Sequence, residues 1–142
     1  MQKRNKKFNS GFSLLELLIA LAILAIIAAI LIPNFFATTE RARLRSDIQS
    51  ARVIQNAIEL YTVERNREPE GASIESMVEY LAESGFLRAR YASIQTEDAT
   101  WESDAQRGVV VNIQSSPEGV HNAYGNLSAS EQLYVINGRR GS

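Results

Sequence analysis

Few side chains in this sequence have the types and spacing that chemistry requires. Four carboxylates of the C-terminal half offer oxygen ligands for calcium, although their spacing is not that of a regular calcium loop. They are Asp98, Glu102, Asp104 and Glu118. The single histidine, His121, lies in a polar stretch and is predicted to be an ordinary surface residue. The absence of cysteine excludes disulfides, thiol nucleophiles and thiolate metal sites. We therefore predict no enzymatic activity and no cofactor, with calcium as the one candidate metal.

Another carboxylate, Glu16, lies at the start of an apolar run, where a charge is energetically unfavourable. Every residue from Leu17 to Ile32 is Leu, Ile or Ala, and a helix from Phe12 to Ile32 would be roughly 30 Å long, which matches a bilayer core. A charge at a membrane span usually has a function. A secretory signal peptide is disfavoured because its hydrophobic region is shorter. Composition leaves open a plain anchor or a segment in which Glu16 has a partner.

The charge distribution orients this segment. Of the 15 basic side chains, four lie in the first eleven residues, which contain no acid, so the remaining chain is acidic. Basic residues favour the cytoplasmic side, which predicts a cytoplasmic N-terminus and a C-terminal domain across the membrane. The acidic remainder argues against nucleic-acid binding driven by bulk positive charge.

The pattern after Pro33 stays helical but becomes amphipathic. Apolar side chains recur every three or four residues, and Pro69 and Gly71 then end the pattern. The recurring positions are Leu44, Ile48, Ala51, Ile54, Ile58 and Tyr61. One helix is therefore predicted from about Phe12 to about Arg65. Its second half has a single apolar stripe that the rest of the chain must cover.

Residues 67–142 are predicted to form the small domain that covers this stripe. A short helix begins after Ser73 as N-cap and ends at Gly85. β-Branched and alternating patterns predict strands at 90–96, 109–114 and 132–136, with a turn-rich surface loop at 115–130. The predicted fold class is α+β, a long N-terminal helix packed on a head with a short helix and an antiparallel sheet of about three strands.

The stretch KKFNSGFSLLELLIALAILAIIAAILIPNF closely resembles the N-terminal segment of type IV pilins and of the pseudopilins of type II secretion and DNA-uptake systems. The resemblance rests on Gly11 followed by Phe12, on Glu16, and on Pro33 at the end of the apolar run. It implies that a prepilin peptidase cuts after Gly11 and methylates the new amine of Phe12. It also implies that Glu16 pairs with the Phe12 amine of a neighbouring subunit during assembly. Pro33 removes a backbone donor and is predicted to break the helix locally, and in related filaments the helix can melt near this proline. Glu16 lies four residues after Phe12 and so on the same helix face. A pair between Glu16 and the Phe12 amine of its own chain therefore remains open as an alternative.

The resemblance implies a structural subunit of a type IV pilus-like filament, most like a major pseudopilin of type II secretion or a short pilin. Its segments would be a leader (1–11), a membrane and filament-core helix (12–33), an amphipathic helix (34–66) and an α/β head (67–142). Partners would be further copies of the chain, the prepilin peptidase, the inner-membrane assembly platform with its ATPase, and minor pilins. The chain would lie in the inner membrane before it enters a periplasmic or surface filament.

Two clusters of basic residues leave other interpretations open. Arg41, Arg43 and Arg45 follow the apolar run and would bind lipid headgroups, make salt bridges between subunits, or line a solvated face. Arg88 and Arg90, beside Tyr91, form a weak candidate surface for nucleic acid. The alternatives to the secretion-like subunit are therefore a DNA-uptake pseudopilin whose head contacts DNA and a pilin of an adhesion or motility pilus.

Overall fold

The structure, a computed structural model, describes Gly11 and residues 13–138. The chain divides into two compact units, Met1–Phe35 and Phe36–Ser142. The predicted cleavage residue Phe12 and the leader before Gly11 lie outside the described residues. In chain order the elements are α1 (Leu14–Arg65), α2 (Ile74–Glu83), a short 3₁₀ helix (Ala89–Ala92), β1 (Thr100–Asp104), β2 (Gly108–Asn112), α3 (Glu118–Gly125), α4 (Ala129–Gln132) and β3 (Val135–Ile136).

The long helix α1 has the two characters that the sequence predicts. Its apolar part is exposed along its whole length, whereas its later part buries one stripe of side chains. The buried positions are Leu44, Asp47, Ile48, Ala51, Ile54, Ala57 and Tyr61. Asn66 follows the helix with a φ of 51°, the left-handed conformation that commonly ends helices. The predicted amphipathic stripe is confirmed.

The head covers this stripe with α2 and the sheet. Ser73 caps α2, as predicted, because its side chain accepts the backbone N–H of Ser76 while the Ser76 hydroxyl accepts the N–H of Ser73. Gly85 follows the helix with a φ of 80°. The buried core joins α1 to Val78 of α2 and to Trp101 of β1. It also includes Val109 and Val111 of β2, and Ile113, which directly follows β2.

The sheet differs from the prediction in the position of one strand. Residues 90–96 form part of the 3₁₀ helix and a loop, and the strand is β1, Thr100–Asp104. The alternation at 90–96 was misleading because the backbone N–H groups of Gln95 and Thr96 donate to the carboxylate of Asp47 and not to a strand. β1 pairs with β2 in an antiparallel hairpin whose turn ends at Gly108, with a φ of 74°.

The direction of the last strand was also predicted wrongly. The sheet is mixed, in the order β1-β2-β3, and β3 runs parallel to β2. A parallel neighbour needs a long crossover, and the chain supplies it with α3 and α4, in the region predicted to be a loop. α3 begins directly after Pro117, and α4 begins with a capping box in which Ser128 and Glu131 bind each other's backbone N–H groups.

Candidate assembly segment

Within the residues that the structure describes, the apolar part of α1 is not covered by other parts of the chain. It contains a stretch long and apolar enough to cross a membrane, and no residue of that stretch is buried within the chain. Leu14 is 80% exposed and Ile27, the most covered of the large side chains there, is still 46% exposed. Burial of each such side chain in lipid or protein is worth about 1.5–3 kcal/mol. By length and composition this part of the helix could cross a membrane.

Glu16 has a partner that the sequence interpretation missed. The backbone N–H of Ser13 donates to Glu16 Oε2 (3.1 Å), and the backbone N–H of Glu16 donates to Ser13 Oγ (3.2 Å). This reciprocal pair is a capping box at the start of α1, and the sequence Ser13-Leu14-Leu15-Glu16 carries its S-x-x-E signature. Glu16 therefore satisfies a backbone donor in its own chain. Its predicted pairing with the Phe12 amine stays a prediction because Phe12 lies outside the described residues.

Pro33 lies within α1, and the helix is continuous through it. The helix break predicted at Pro33 is thus not observed in this structure. Proline cannot donate to the carbonyl of Ala29, four residues earlier. The helix continues on both sides of Pro33 despite this loss, and the side-chain amide of Asn34 donates to the carbonyl of Ile30 (3.3 Å). Melting of this region within a filament stays a prediction.

Two of the three arginines after the apolar run pair within the chain. Arg43 binds Glu40 (3.0 Å), and Arg45 Nε binds Glu131 Oε1 (2.8 Å). Glu131 also accepts hydrogen bonds from the backbone and side chain of Ser128, and these bonds, together with Arg45, lower its pKa to about 2. Arg45 thus ties α1 to the cap of α4. A role of the arginines toward lipid or neighbouring subunits stays a prediction.

Asp47 is a buried carboxylate that anchors the loop before β1. It accepts the backbone N–H of Gln95 (2.9 Å), the backbone N–H of Thr96 (2.7 Å) and the Thr96 hydroxyl (2.6 Å). Burial raises the pKa of Asp47, and the three hydrogen bonds oppose that rise. A signal for this role was present, because Asp47 falls between Leu44 and Ile48 on the apolar side of the helix.

The candidate calcium ligands do not converge. Asp104 binds Arg107 (2.8 Å) and accepts backbone N–H groups of the hairpin turn, so that its pKa falls to about 2, with the Arg107 side chain as the largest cause. Glu102 accepts the side-chain amide of Asn112 (2.7 Å). Among Gly11 and residues 13–138, no three acidic or histidine side chains lie close enough together to hold a metal ion. His121, half-buried, contacts Asn137.

The candidate nucleic-acid surface is a local contact. The guanidinium of Arg90 lies over the ring of Tyr91, 5.1 Å from its centre, and donates to the Tyr91 hydroxyl (3.2 Å). Arg88 is the N-cap residue of the 3₁₀ helix, but its side chain makes no hydrogen bond that caps this helix. Arg88 and Arg90 are exposed, but Tyr91 is half-buried and packs against the core. Nucleic-acid grooves instead combine a basic track with several aromatic platforms.

Comparison with known proteins identifies the N-terminal segment. Residues 6–32 match the family model described as the prokaryotic N-terminal methylation motif. The chain is 35% identical over 69 residues to the type II secretion system core protein G of Aeromonas hydrophila, which is 49% of this chain and 46% of that protein. The chain thus carries this N-terminal motif and, over about half its length, is similar to a type II secretion protein.

Other relatives of the chain come from a type II secretion system and from a type IV pilus. The type II secretion system core protein G of Klebsiella pneumoniae is 24% identical over 120 residues, 78% of this chain and 86% of the relative. The type IV wide pilus major component PilA4 of Thermus thermophilus is 42% identical over 66 residues, 44% and 46% of the two chains. The chain thus matches about half the length of the Aeromonas hydrophila and Thermus thermophilus relatives. No solved structure matches the chain.

Proposed function

We propose that this chain is a structural subunit of a type IV pilus-like filament, inserted in the inner membrane, cleaved after Gly11, methylated at Phe12 and polymerised. The observation that carries the proposal is the methylation motif, which coincides with the apolar part of α1, a segment that no other described part of the chain covers. The subunit has a structural and not an enzymatic role. Its partners are other copies, the prepilin peptidase and the assembly platform with its ATPase.

Among filament types, we propose a pseudopilin like that of type II secretion. Two of the three relatives described above are core protein G, and one of them matches over most of its length. The head is small and contains no cysteine. The cytoplasmic N-terminus follows from the basic leader, and the head then lies on the opposite side of the membrane.

The two interpretations of Glu16 require different properties of its side chain. As a capping residue it needs an oxygen acceptor for the Ser13 N–H, which Glu16→Gln keeps. As the partner of a cationic amine it needs a negative charge, which Glu16→Gln removes. A buried or partly buried charge pair loses several kcal/mol when one partner is neutralised. We expect Glu16→Gln and Glu16→Ala alike to be cleaved but absent from filaments.

The test measures intact mass and N-terminal sequence in the membrane and sheared-filament fractions of cells that carry the rest of the assembly machinery. The wild-type filament fraction should contain chains that begin at methylated Phe12. Glu97→Gln, which neutralises an exposed head carboxylate, is the matched control and should assemble. Normal assembly of Glu16→Gln would show that the charge is dispensable. An uncut wild-type chain found only in membranes would refute the filament function.

A further inference from the structure

The backbone directly after β3 contains a chemically labile pair of residues. Of the asparagines in the sequence, Asn137 alone is followed by a glycine, Gly138. In such a pair the glycine nitrogen can attack the side-chain amide carbon of the asparagine, because no Cβ hinders its approach and glycine adopts the conformations that ring closure needs. Asn137 is half-buried and Gly138 is exposed. Water can therefore reach the pair while the head is folded.

The attacking nitrogen is not held by the sheet. The last printed bond between β2 and β3 runs from the backbone N–H of Ile113 to the carbonyl of Ile136 (3.0 Å), before Asn137. Within the described part of the chain, the backbone N–H of Gly138 donates to no acceptor. Asn122, by contrast, lies inside α3, where the following backbone N–H belongs to the helical hydrogen-bonding pattern. The nitrogen of Gly138 is thus free to react.

A histidine of α3 contacts the amide that would be attacked. His121 Nδ1 lies 2.6 Å from Asn137 Oδ1. A carbonyl oxygen can only accept a hydrogen bond, so Nδ1 is the protonated ring nitrogen and the donor. This hydrogen bond makes Cγ of Asn137 more electrophilic and stabilises the negative charge that develops on Oδ1 when Cγ is attacked. His121 therefore occupies the position of an oxyanion donor.

We propose that Asn137 is a site of spontaneous deamidation that His121 assists. The Gly138 nitrogen forms a bond to Cγ of Asn137 and gives up its proton, and the side-chain nitrogen leaves with a proton as ammonia, which produces a cyclic imide. Water then opens the ring. Cleavage between the nitrogen and Cγ gives an aspartate, and cleavage between the nitrogen and the backbone carbonyl carbon gives an isoaspartate. In both cases an amide and water become a carboxylic acid and ammonia, without oxidant or reductant.

The modification adds a negative charge at the end of the sheet and leaves the pairing of β3 intact. The altered bond follows Ile136, whose carbonyl accepts the last bond of the ladder. The new carboxylate lies beside His121 and precedes Arg139 and Arg140 in the sequence. In the isoaspartate the chain also continues through the side chain, which redirects the backbone after β3. These changes need only the folded head and do not depend on the proposed function.

Mass spectrometry of the full chain in detergent micelles tests the proposal. After incubation in neutral buffer, trypsin cleaves after Arg107 and Arg139, and fragment masses of the peptide between them show which amide has become an acid. We expect conversion at Asn137, with isoaspartate detected by an isoaspartate-specific methyltransferase. The other asparagines of this peptide, none followed by glycine, are the internal controls: Asn112, Asn122 and Asn126. An unconverted Asn137, or equal conversion at all four positions, would overturn the proposal.

Variants of His121 test its assistance. In the folded chain, His121→Phe should slow conversion by at least about tenfold, since it removes the donor to the developing oxyanion. His121→Asn, whose side-chain amide can donate from near the position of Nδ1, should recover part of the rate. In concentrated urea, where the contact is lost, wild type and His121→Phe should convert at the same rate. Equal rates of the two folded chains would show that His121 gives no assistance and would overturn the proposal.

The wild-type chain provides a test that needs no variant to fold. The contact with His121 predicts that folded wild type converts at least as fast as the same chain in urea, and slower conversion of the folded chain would overturn the proposal. Asn137→Gln, whose longer side chain closes the ring less readily, should abolish conversion at this position. Gly138→Ala is unsuitable as a control, because its Cβ would collide with the side chain of Gln114. Fluorescence of the buried Trp101 shows that each variant is folded.

Discussion

Replacing Asp47 by alanine should destabilise the head more than any exposed carboxylate can. The change leaves three donors without their acceptor: the backbone N–H groups of Gln95 and Thr96 and the Thr96 hydroxyl. Each buried unsatisfied donor costs about 1–3 kcal/mol. Thr96 is buried and Gln95 is exposed, so the two Thr96 groups carry most of the loss. Removing a buried charge offsets part of it, and we expect a net loss of about 3 kcal/mol.

The loss can be measured by urea unfolding of the full chain in detergent micelles. Trp101, the one tryptophan of the sequence, is buried in the head core and reports on it by fluorescence. With a urea dependence of about 1–3 kcal/mol per molar, Asp47→Ala should lower the midpoint by at least about 1 M. Asp47→Asn keeps one carbonyl oxygen and should lose about half as much.

The exposed neighbour Glu97 provides the control for this measurement. Glu97→Ala should change the free energy of unfolding by less than about 0.5 kcal/mol. Equal stabilities of Asp47→Ala and Glu97→Ala would refute the argument that the carboxylate holds the loop before β1. A more stable Asp47→Ala would show that the burial of the charge outweighs its three hydrogen bonds.

Two further predictions concern acid stability and the hairpin turn. The hydrogen bonds from Ser128 hold the folded pKa of Glu131 at about 2, below its ordinary 4.5, so the stabilisation by this carboxylate is present above pH 4.5 and lost as the pH falls toward 2. Between pH 5 and 2.5 the unfolding midpoint of Glu131→Gln should therefore fall less steeply than that of the wild type. Identical slopes would contradict this. Gly108→Ala should cost about 1–3 kcal/mol, because φ is positive there and the new Cβ would collide with the side chain of Gln55. Gly119→Ala, which meets nothing within 4 Å, is its matched control in thermal unfolding and should be neutral or stabilising.

The helical part of the fold could be predicted because its signals are local. The apolar run, the stripe from Leu44 to Tyr61, and the cap and stop of α2 at Ser73 and Gly85 each depend on residues within a few turns of one another. β2 was found for the same reason, since three consecutive valines after Gly108 favour a strand.

The rest of the head depends on contacts that a linear pattern does not contain. β1 has the sequence Thr-Trp-Glu-Ser-Asp, with no β-branched run, and is stabilised by pairing with β2 and by burial of Trp101. Trp101 Nε1 donates to the carbonyl of Ala92 (3.1 Å), within the segment that sequence alternation had assigned to a strand. The parallel direction of β3 follows from the crossover through α3 and α4, whose short helices have weak periodicity and are marked mainly by Pro117 and the Ser128 cap.

Glu16 shows how a local and a long-range role coexist in one side chain. The capping box explains why a carboxylate three residues after Ser13 is tolerated at the start of an apolar helix: it satisfies a backbone donor and lies at the positive end of the helix dipole. A glutamine at this position would satisfy the backbone donor of Ser13 nearly as well. A requirement for the negative charge in assembly would point to a cationic partner, and the amine created by cleavage before Phe12 is the one that the proposed processing supplies. The difference in helix stability between Glu16→Gln and Glu16→Ala therefore measures the cap, and the difference in filament assembly between Glu16→Gln and wild type measures the charge.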